Sequence, residues 1–314
     1  MMKSVKFLLV LSFIMILCVS SALAANKTFV MVPKAVHPYY EPCYEGFKAA
    51  AEKYGVEVEF EAPQEQQLGM QVKVIEDLIA RGVDGIALSA LDDAGLVAVV
   101  DEAMEAGVKV LTFDAEAPST SALSYIGTNN GTAGYEAGKQ MIELMGGSGQ
   151  VALLQATLGA VNLNVRAQEF KRALEELAPD IKMVAIEEFE GDYAKAVNKV
   201  EALLETYPDL KAIFGISAYG APAAATVVKE QEKVGQVIVA GFDDLKDTLD
   251  GIRDGSIAFC LVQKTFKMGW LSVEKLLDAV EGKEIPKNID TGILIVDSTN
   301  VDTYMEDMKK EFIQ

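Results

Sequence analysis

The chain has 314 residues, a formal net charge of −19 and a single histidine. That length is enough for two domains of ordinary size. The acidity argues against nucleic acid, whose phosphates call for a basic surface, and one histidine leaves no metal cluster of the His-rich kind.

The amino terminus carries Lys3 and Lys6, an almost wholly apolar stretch over residues 7–19, and small residues at Ala22 and Ala24. This is the pattern of a secretory signal peptide over residues 1–24, cut after Ala24. The apolar stretch is shorter than the roughly 20 residues that a membrane span needs, and nothing later in the chain is long and apolar enough. Met15, Ile16 and Leu17 precede Cys18 without the small residues that lipoprotein processing requires. A soluble, exported protein is expected, and loss of Lys3 and Lys6 takes its charge from −19 to about −21. Cys43 and Cys260 survive the cut but lie far apart, and two cysteines do not make a disulfide framework. Unpaired thiols are expected.

After the cut, strand and helix patterns alternate. Residues 29–32 read as a strand, 33–42 as a turn and 44–54 as a helix stopped by Gly55. Val56, Val58 and Phe60 alternate with glutamates, which marks a half-exposed strand. Val72, Ile75, Leu78 and Ile79 keep helical spacing up to Arg81-Gly82. Then come strand 86–89, helix 96–106, strand 110–113, the short strand 124–127 and helix 132–145. Residues 146–149 are a flexible glycine turn. They precede the strand 151–154, whereas a dinucleotide fingerprint must follow a strand and open a helix. Helix 165–177, strand 183–186, helix 193–206, strand 212–216 and helix 221–232 lead to a strand ending in Gly241-Phe242-Asp243. A short helix, strand 257–262, helix 266–280 and strand 293–296 complete the pattern. The alternation predicts an α/β protein with parallel sheets.

Two strands end alike. Residues 108–113 are closed by Asp114, and residues 237–242 by Asp243. In open parallel sheets ligands sit beyond the carboxyl ends of the strands. A carboxylate there is an acceptor-only group on a rigid element, suited to hydroxyl or ammonium donors. One such strand in each half predicts two similar lobes facing a shared cleft. The plainer alternative is that each aspartate merely caps the next helix or turn.

Catalysis finds little support in the residues. Residues 215–220, Gly-Ile-Ser-Ala-Tyr-Gly, are one residue too long for a nucleophile elbow, and the only base is the distant His37. Asp114 and Asp243 as an acid–base pair for a glycoside is the enzymatic alternative. Binding accounts for more residues. His37, Tyr39 and Tyr40 follow the first strand and offer aromatic faces, which pack on the C–H face of a sugar ring. Asn162, Asn164 and Arg166 read as lying in the loop after the strand ending at Leu154, within reach of sugar oxygens, with Arg166 equally readable as a surface residue of the helix it starts. Gln263, at the end of its strand, offers both a donor and an acceptor.

The Pro-aromatic-aromatic turn, Asp114, the Asn-x-x-x-Gly of residues 130–134, Gly241-Phe242-Asp243 and Gln263 together resemble the type I periplasmic substrate-binding proteins of ABC importers, in the ribose-binding and autoinducer-2-binding branch. The resemblance implies two doubly wound parallel-sheet lobes joined by a three-crossing hinge near residues 129, 263 and 291. The lobes would be residues 25–129 with 264–291, and residues 130–263 with 292–314. The ribose-binding pattern places His37, Tyr39, Tyr40, Asp114, Asn164, Ser217, Asp243 and Gln263 at ligand positions. Its arginine after the first aspartate is Ala115 here, and a second-lobe arginine falls on Asn164, which turns the implied ligand from ribose to another small neutral sugar or sugar-like polyol. An aromatic of that pattern meets Gly191, with Tyr193 beside it. Lys34 and residues 220–223 look more like the autoinducer-2 branch, which makes that signal molecule the alternative ligand. The resemblance further implies a monomer in the periplasm, no cofactor, and delivery to an inner-membrane permease. A receptor docking on a chemoreceptor or sensor kinase is the alternative.

Overall fold

The computed structural model describes residues 27–305, so the segment read as a signal peptide lies outside the described residues. Strands β1 (Thr28–Val32), β2 (Glu57–Phe60), β3 (Gly85–Leu88), β4 (Lys109–Phe113), β5 (Tyr125–Gly127) and β11 (Asn288–Asp290) form one parallel sheet in the order β11-β5-β4-β3-β1-β2. Strands β6 (Gly149–Gln155), β7 (Ile181–Glu188), β8 (Leu210–Gly215), β9 (Ile238–Phe242), β10 (Phe259–Gln263) and β12 (Ile293–Asp297) form the second, in the order β12-β10-β9-β8-β6-β7. Each sheet therefore winds outward in both directions from its first strand, and each has a switch point beside that strand. The central strands are buried on both faces, as the unbroken apolar runs of β3 and β9 require.

Helices α1 (Glu41–Tyr54), α2 (Leu68–Arg81) and α3 (Val97–Glu105) belong to the first sheet. Helices α4 (Asn130–Met145), α5 (Val161–Leu177), α6 (Tyr193–Thr206), α7 (Gly220–Glu230) and α8 (Lys246–Asp254) belong to the second. Helix α9 (Thr265–Val280) returns to the first lobe and packs on α1. That packing is close: a Cβ on Gly269 would lie 1.8 Å from the Cys43 carbonyl oxygen, and one on Gly46 would lie 2.0 Å from that of Phe266. No described helix is long and apolar enough to cross a membrane. Cys43 and Cys260 are free, buried thiols in different lobes.

The chain passes between the sheets after β5, after β10 and between β11 and β12. These passages are tied to one another. Asp290 Oδ1 accepts from the Asn129 amide at 3.0 Å and from the Gly292 amide at 2.8 Å, and the Thr291 amide donates to Gly127 at 2.8 Å.

Three expectations are corrected and one strand was missed. Helix α1 starts at Glu41, because Pro42 falls in the first turn, where a missing N–H costs nothing. Helix α5 starts at Val161 rather than 165, so residues 162 and 164 are helical together with 166. Its N-cap is Ala160, which has no capping oxygen to announce the start. The three-residue strand β11 was not legible, being short and mostly exposed. Finally, β12 runs antiparallel to β10, the one exception among the described strands to parallel pairing.

Candidate functional site

The carboxyl ends of both sheets face one cavity. It is lined by Lys34, His37, Tyr40, Gln66 and Asp114 from the first lobe, and by Ala156, Thr157, Asn162, Leu163, Arg166, Phe189, Gly191, Ser217, Ala218, Tyr219, Asp243 and Gln263 from the second. About 60 Å³ is open to the centres of water-sized groups. That is room for roughly four to six such groups at about 10–15 Å³ each, the scale of one small ring.

Asp114 lies one residue past β4 and is fixed by three hydroxyls. Tyr39 donates to Oδ1 at 2.9 Å, while Ser89 and Tyr40 donate to Oδ2 at 2.6 and 3.2 Å. Lys34 Nζ stands 3.5 Å from Oδ2. Burial pushes the Asp114 carboxyl up, but Lys34, the Ser89 hydroxyl, Arg166 and the Tyr39 hydroxyl outweigh it and hold it below the ordinary carboxylate range. Burial also lowers the Lys34 ammonium, and Asp114 opposes that shift. Lys34 and Asp114 thus form a pair buried at the cavity wall. Tyr39 therefore supports Asp114 from behind and does not line the cavity.

In the second lobe, Asn162 and Arg166 are four residues apart on α5 and share a face. Asn162 reaches across the cleft, accepting from Lys34 Nζ at 3.5 Å and donating to the Asp114 carbonyl at 3.4 Å. The Arg166 guanidinium is buried. It donates to Asn130 Oδ1 at 2.8 Å, to the Ile216 carbonyl at 3.1 Å and to Gln263 Oε1 at 2.7 Å, and lies 4.0 Å above the Phe242 ring. Gln263 passes the contact on, donating to Asp243 Oδ1 at 2.8 Å. Burial pushes the Asp243 carboxyl up to about 7; Arg166 and Gln263 oppose the rise, while Asp114 and Asp244 add to it.

Asn164, expected among the ligand positions, does not reach the cavity. Two residues on from Asn162, it faces the other side of the helix. There it donates to the Leu158 carbonyl at 2.8 Å and accepts from Gln155 at 2.7 Å, bracing residues 156–160. The cleft guanidinium is that of Arg166 instead. Tyr193 is likewise turned away, bonded to Thr226 at 2.8 Å, and the aromatic ring in that part of the wall is Phe189.

The cavity mouth is closed by contacts between lobes. The His37 and Tyr219 rings stand 4.4 Å apart, and a Cβ on Gly191 would lie 2.7 Å from the Gln66 amide. His37 Nδ1 accepts from the Tyr39 amide at 3.1 Å, and burial depresses the imidazole to about 4, leaving it neutral near pH 7. Sequence reasoning missed Ser89, Gln66, Tyr219 and Phe189, and marked Asn130 only as part of a motif. Ser89 ends a strand as Asp114 does and was open to the same argument. Gln66 and Phe189 carry no local signal.

Hydrogen-bonding capacity is left over on the cavity side. Ser217 Oγ and Gln66 Oε1 are buried atoms without partners among the described residues. Asp243 Oδ2 receives no donor from the described residues, and Arg166 uses three of its five N–H groups. These are convergent, uncommitted donors and acceptors around a small space.

Residues 28–284 match the family model described as the periplasmic binding protein domain. Among curated proteins, the chain is 25% identical to the D-allose-binding periplasmic protein of Escherichia coli over 289 residues, covering 89% of this chain and 93% of that one. It is 26% identical over 253 residues to the ribose import binding protein of Bacillus subtilis, covering 81% of each. Among solved structures, an ABC transporter solute-binding protein from Burkholderia graminis in complex with D-arabinose is 40% identical, with a TM-score of 0.86 over 90% of this chain and 99% of that one. The chain belongs to the periplasmic binding protein family.

Proposed function

We propose that this protein captures one small neutral monosaccharide between its lobes and hands it to the permease of an ABC importer. The observation that carries the reading is the set of uncommitted groups around the cavity: the free oxygen of Asp243, the unpartnered Ser217 hydroxyl and Gln66 amide oxygen, and the remaining N–H groups of Arg166. Polyhydroxylated rings offer a donor and an acceptor at each hydroxyl and satisfy such a mixed set. Lys34, His37, Tyr40 and Asn162 complete the proposed contacts from the cavity wall. Asp114 acts mainly through the groups it holds in place.

The D-arabinose held by the 40% identical solved structure makes that pentose the first to test, with hexoses such as allose beside it. We take the lobes as residues 25–129 with 264–291 and 130–263 with 292–314. The protein works as an exported, periplasmic monomer that releases its ligand chemically unchanged. Closure over the sugar stabilises the closed state in proportion to the extra contacts made there. Calorimetry of the purified protein against pentoses, hexoses and polyols is expected to find one or a few binders at one site per chain. Absence of binding across that panel, with no sugar carried through purification by mass spectrometry, overturns the reading.

A further inference from the structure

One phenol lies where the two lobes join and touches groups that hold both halves of the cavity. Tyr125, the first residue of β5, is buried, and its hydroxyl lies within 3.0 Å of the carbonyl oxygens of Asp114 and Thr128. The same oxygen accepts from Asn130 Nδ2 at 3.1 Å. Asp114 carries the first lobe's carboxylate. Thr128 lies in the passage between lobes, and Asn130 opens α4 in the second lobe, where its Oδ1 accepts from Arg166.

The hydroxyl has one hydrogen for two carbonyls. When it serves Thr128, the Asp114 carbonyl depends on Asn162, which reaches it from α5 at 3.4 Å only while the lobes are together. When it serves Asp114, the carbonyl of the crossing segment gives up its partner. The room for this phenol is specific: a Cβ on Gly127 would fall 2.3 Å from the Tyr125 oxygen. Gly127 has no left-handed backbone that would itself call for glycine, so close approach by the phenol accounts for it.

We infer that Tyr125 is a positioning residue for sugar binding, stabilising the closed arrangement of the lobes through its shared hydroxyl without touching the ligand. The inference rests on the reading of the cavity as a sugar site. Removing the hydroxyl leaves buried carbonyl and amide groups short of partners, and the loss falls on the closed state, where these groups are driest. Faster ligand release is the consequence, since opening precedes escape while encounter occurs in the open form.

The test uses Tyr125→Phe, which deletes the hydroxyl, and Gly127→Ala, which displaces it by a separate route. Both are expected to raise the dissociation rate of the bound sugar about tenfold, the size of one lost hydrogen bond of roughly 1.4 kcal/mol, with association within twofold of wild type. A fluorophore pair on Glu76→Cys and Glu201→Cys, exposed sites of α2 and α6, is expected to report a smaller closed fraction in both variants without ligand. Dissociation within twofold of wild type, or an unchanged closed fraction, overturns the inference. Wild-type protein that binds no sugar overturns the functional reading, and the closed fraction still decides the role of Tyr125.

Discussion

Asp114 and Asp243 occupy matching places in the two lobes, one residue beyond β4 and β9, and both adopt the left-handed conformation, with φ of 59° and 70°. Aspartate is among the few residues other than glycine that enter that region readily. The turn that takes the chain out of the sheet thus favours the same residue type that the cavity uses. Their surroundings differ: the Asp114 carboxylate has three hydroxyls and the Lys34 nitrogen, whereas the Asp243 carboxylate has Gln263 alone among the described residues within hydrogen-bonding distance.

That difference predicts a pH dependence of binding. Asp243 titrates near 7 without ligand because burial disfavours its charge. A sugar hydroxyl donating to Oδ2 favours the charged form, so binding releases a proton and affinity rises with pH, levelling off above about 7. Stability is a poorer readout. A raised Asp243 lowers stability as pH rises between its unfolded value and 7, while a His37 depressed to about 4 lowers stability as pH falls from the ordinary 6.5 towards 4. The two slopes oppose each other over the shared range. Calorimetry from pH 5.5 to 8 is expected to show tighter binding with rising pH, and Asp243→Asn to flatten the profile. An equally steep profile in that variant sinks the assignment.

The buried Lys34–Asp114 pair makes a prediction for the folded state. Asp114→Asn leaves the ammonium without a counter-charge and is expected to cost about 3 kcal/mol of stability in denaturant unfolding of the ligand-free protein. Replacing Lys34 with methionine in that background removes the stranded charge and should recover part of the loss. If the double variant is no more stable than Asp114→Asn, the pair is not the source of the cost.

The two sheets and the two strand-ending aspartates were legible because they rest on short-range signals. Apolar runs mark β1, β3, β4, β6, β8 and β9, and Asp114 and Asp243 stand immediately after two of them. Arg166 was among the expected site residues, but its bonds to Asn130, Ile216 and Gln263 were not legible, for a local reason. With no capping residue at Ala160, the start of α5 was misplaced, and without a helix the four-residue spacing from Asn162 to Arg166 carries no facing information. Ser89 and Tyr40 are brought onto Asp114 by the sheet order, and Gln66 meets Gly191 only by lobe closure. No pattern within the chain encodes those long-range contacts.

The opposed faces of α5 separate two neighbouring asparagines. Asn162→Ala removes a contact that spans the cleft and is expected to weaken sugar binding by about 1 kcal/mol with little change in ligand-free stability. Asn164→Ala removes the brace on residues 156–160 and is expected to do the reverse, lowering stability by about 1 kcal/mol through the Leu158 carbonyl and one Gln155 N–H left unpaired, the other N–H still serving the Thr157 carbonyl. Paired calorimetry and denaturant unfolding decide it. Equal effects of both variants on binding would mean that the helix does not divide them.

Closure itself has a steric limit at Gly159. A Cβ there would lie 2.7 Å from Asp92 Oδ2 and 3.4 Å from the Leu91 carbonyl, both in the opposite lobe. Asp92 cannot easily yield, because its other carboxyl oxygen accepts from the Gly95 amide at 2.6 Å. Gly159 is not in the left-handed region, so a side chain strains no backbone and acts only when the lobes meet. Gly159→Val is therefore expected to weaken sugar binding by about 1–3 kcal/mol, the usual cost of overpacking, while leaving ligand-free thermal stability within a degree or two. Calorimetry and thermal unfolding of the two proteins side by side test this. Wild-type affinity in the variant would show that the lobes close on the ligand without bringing Gly159 against Asp92.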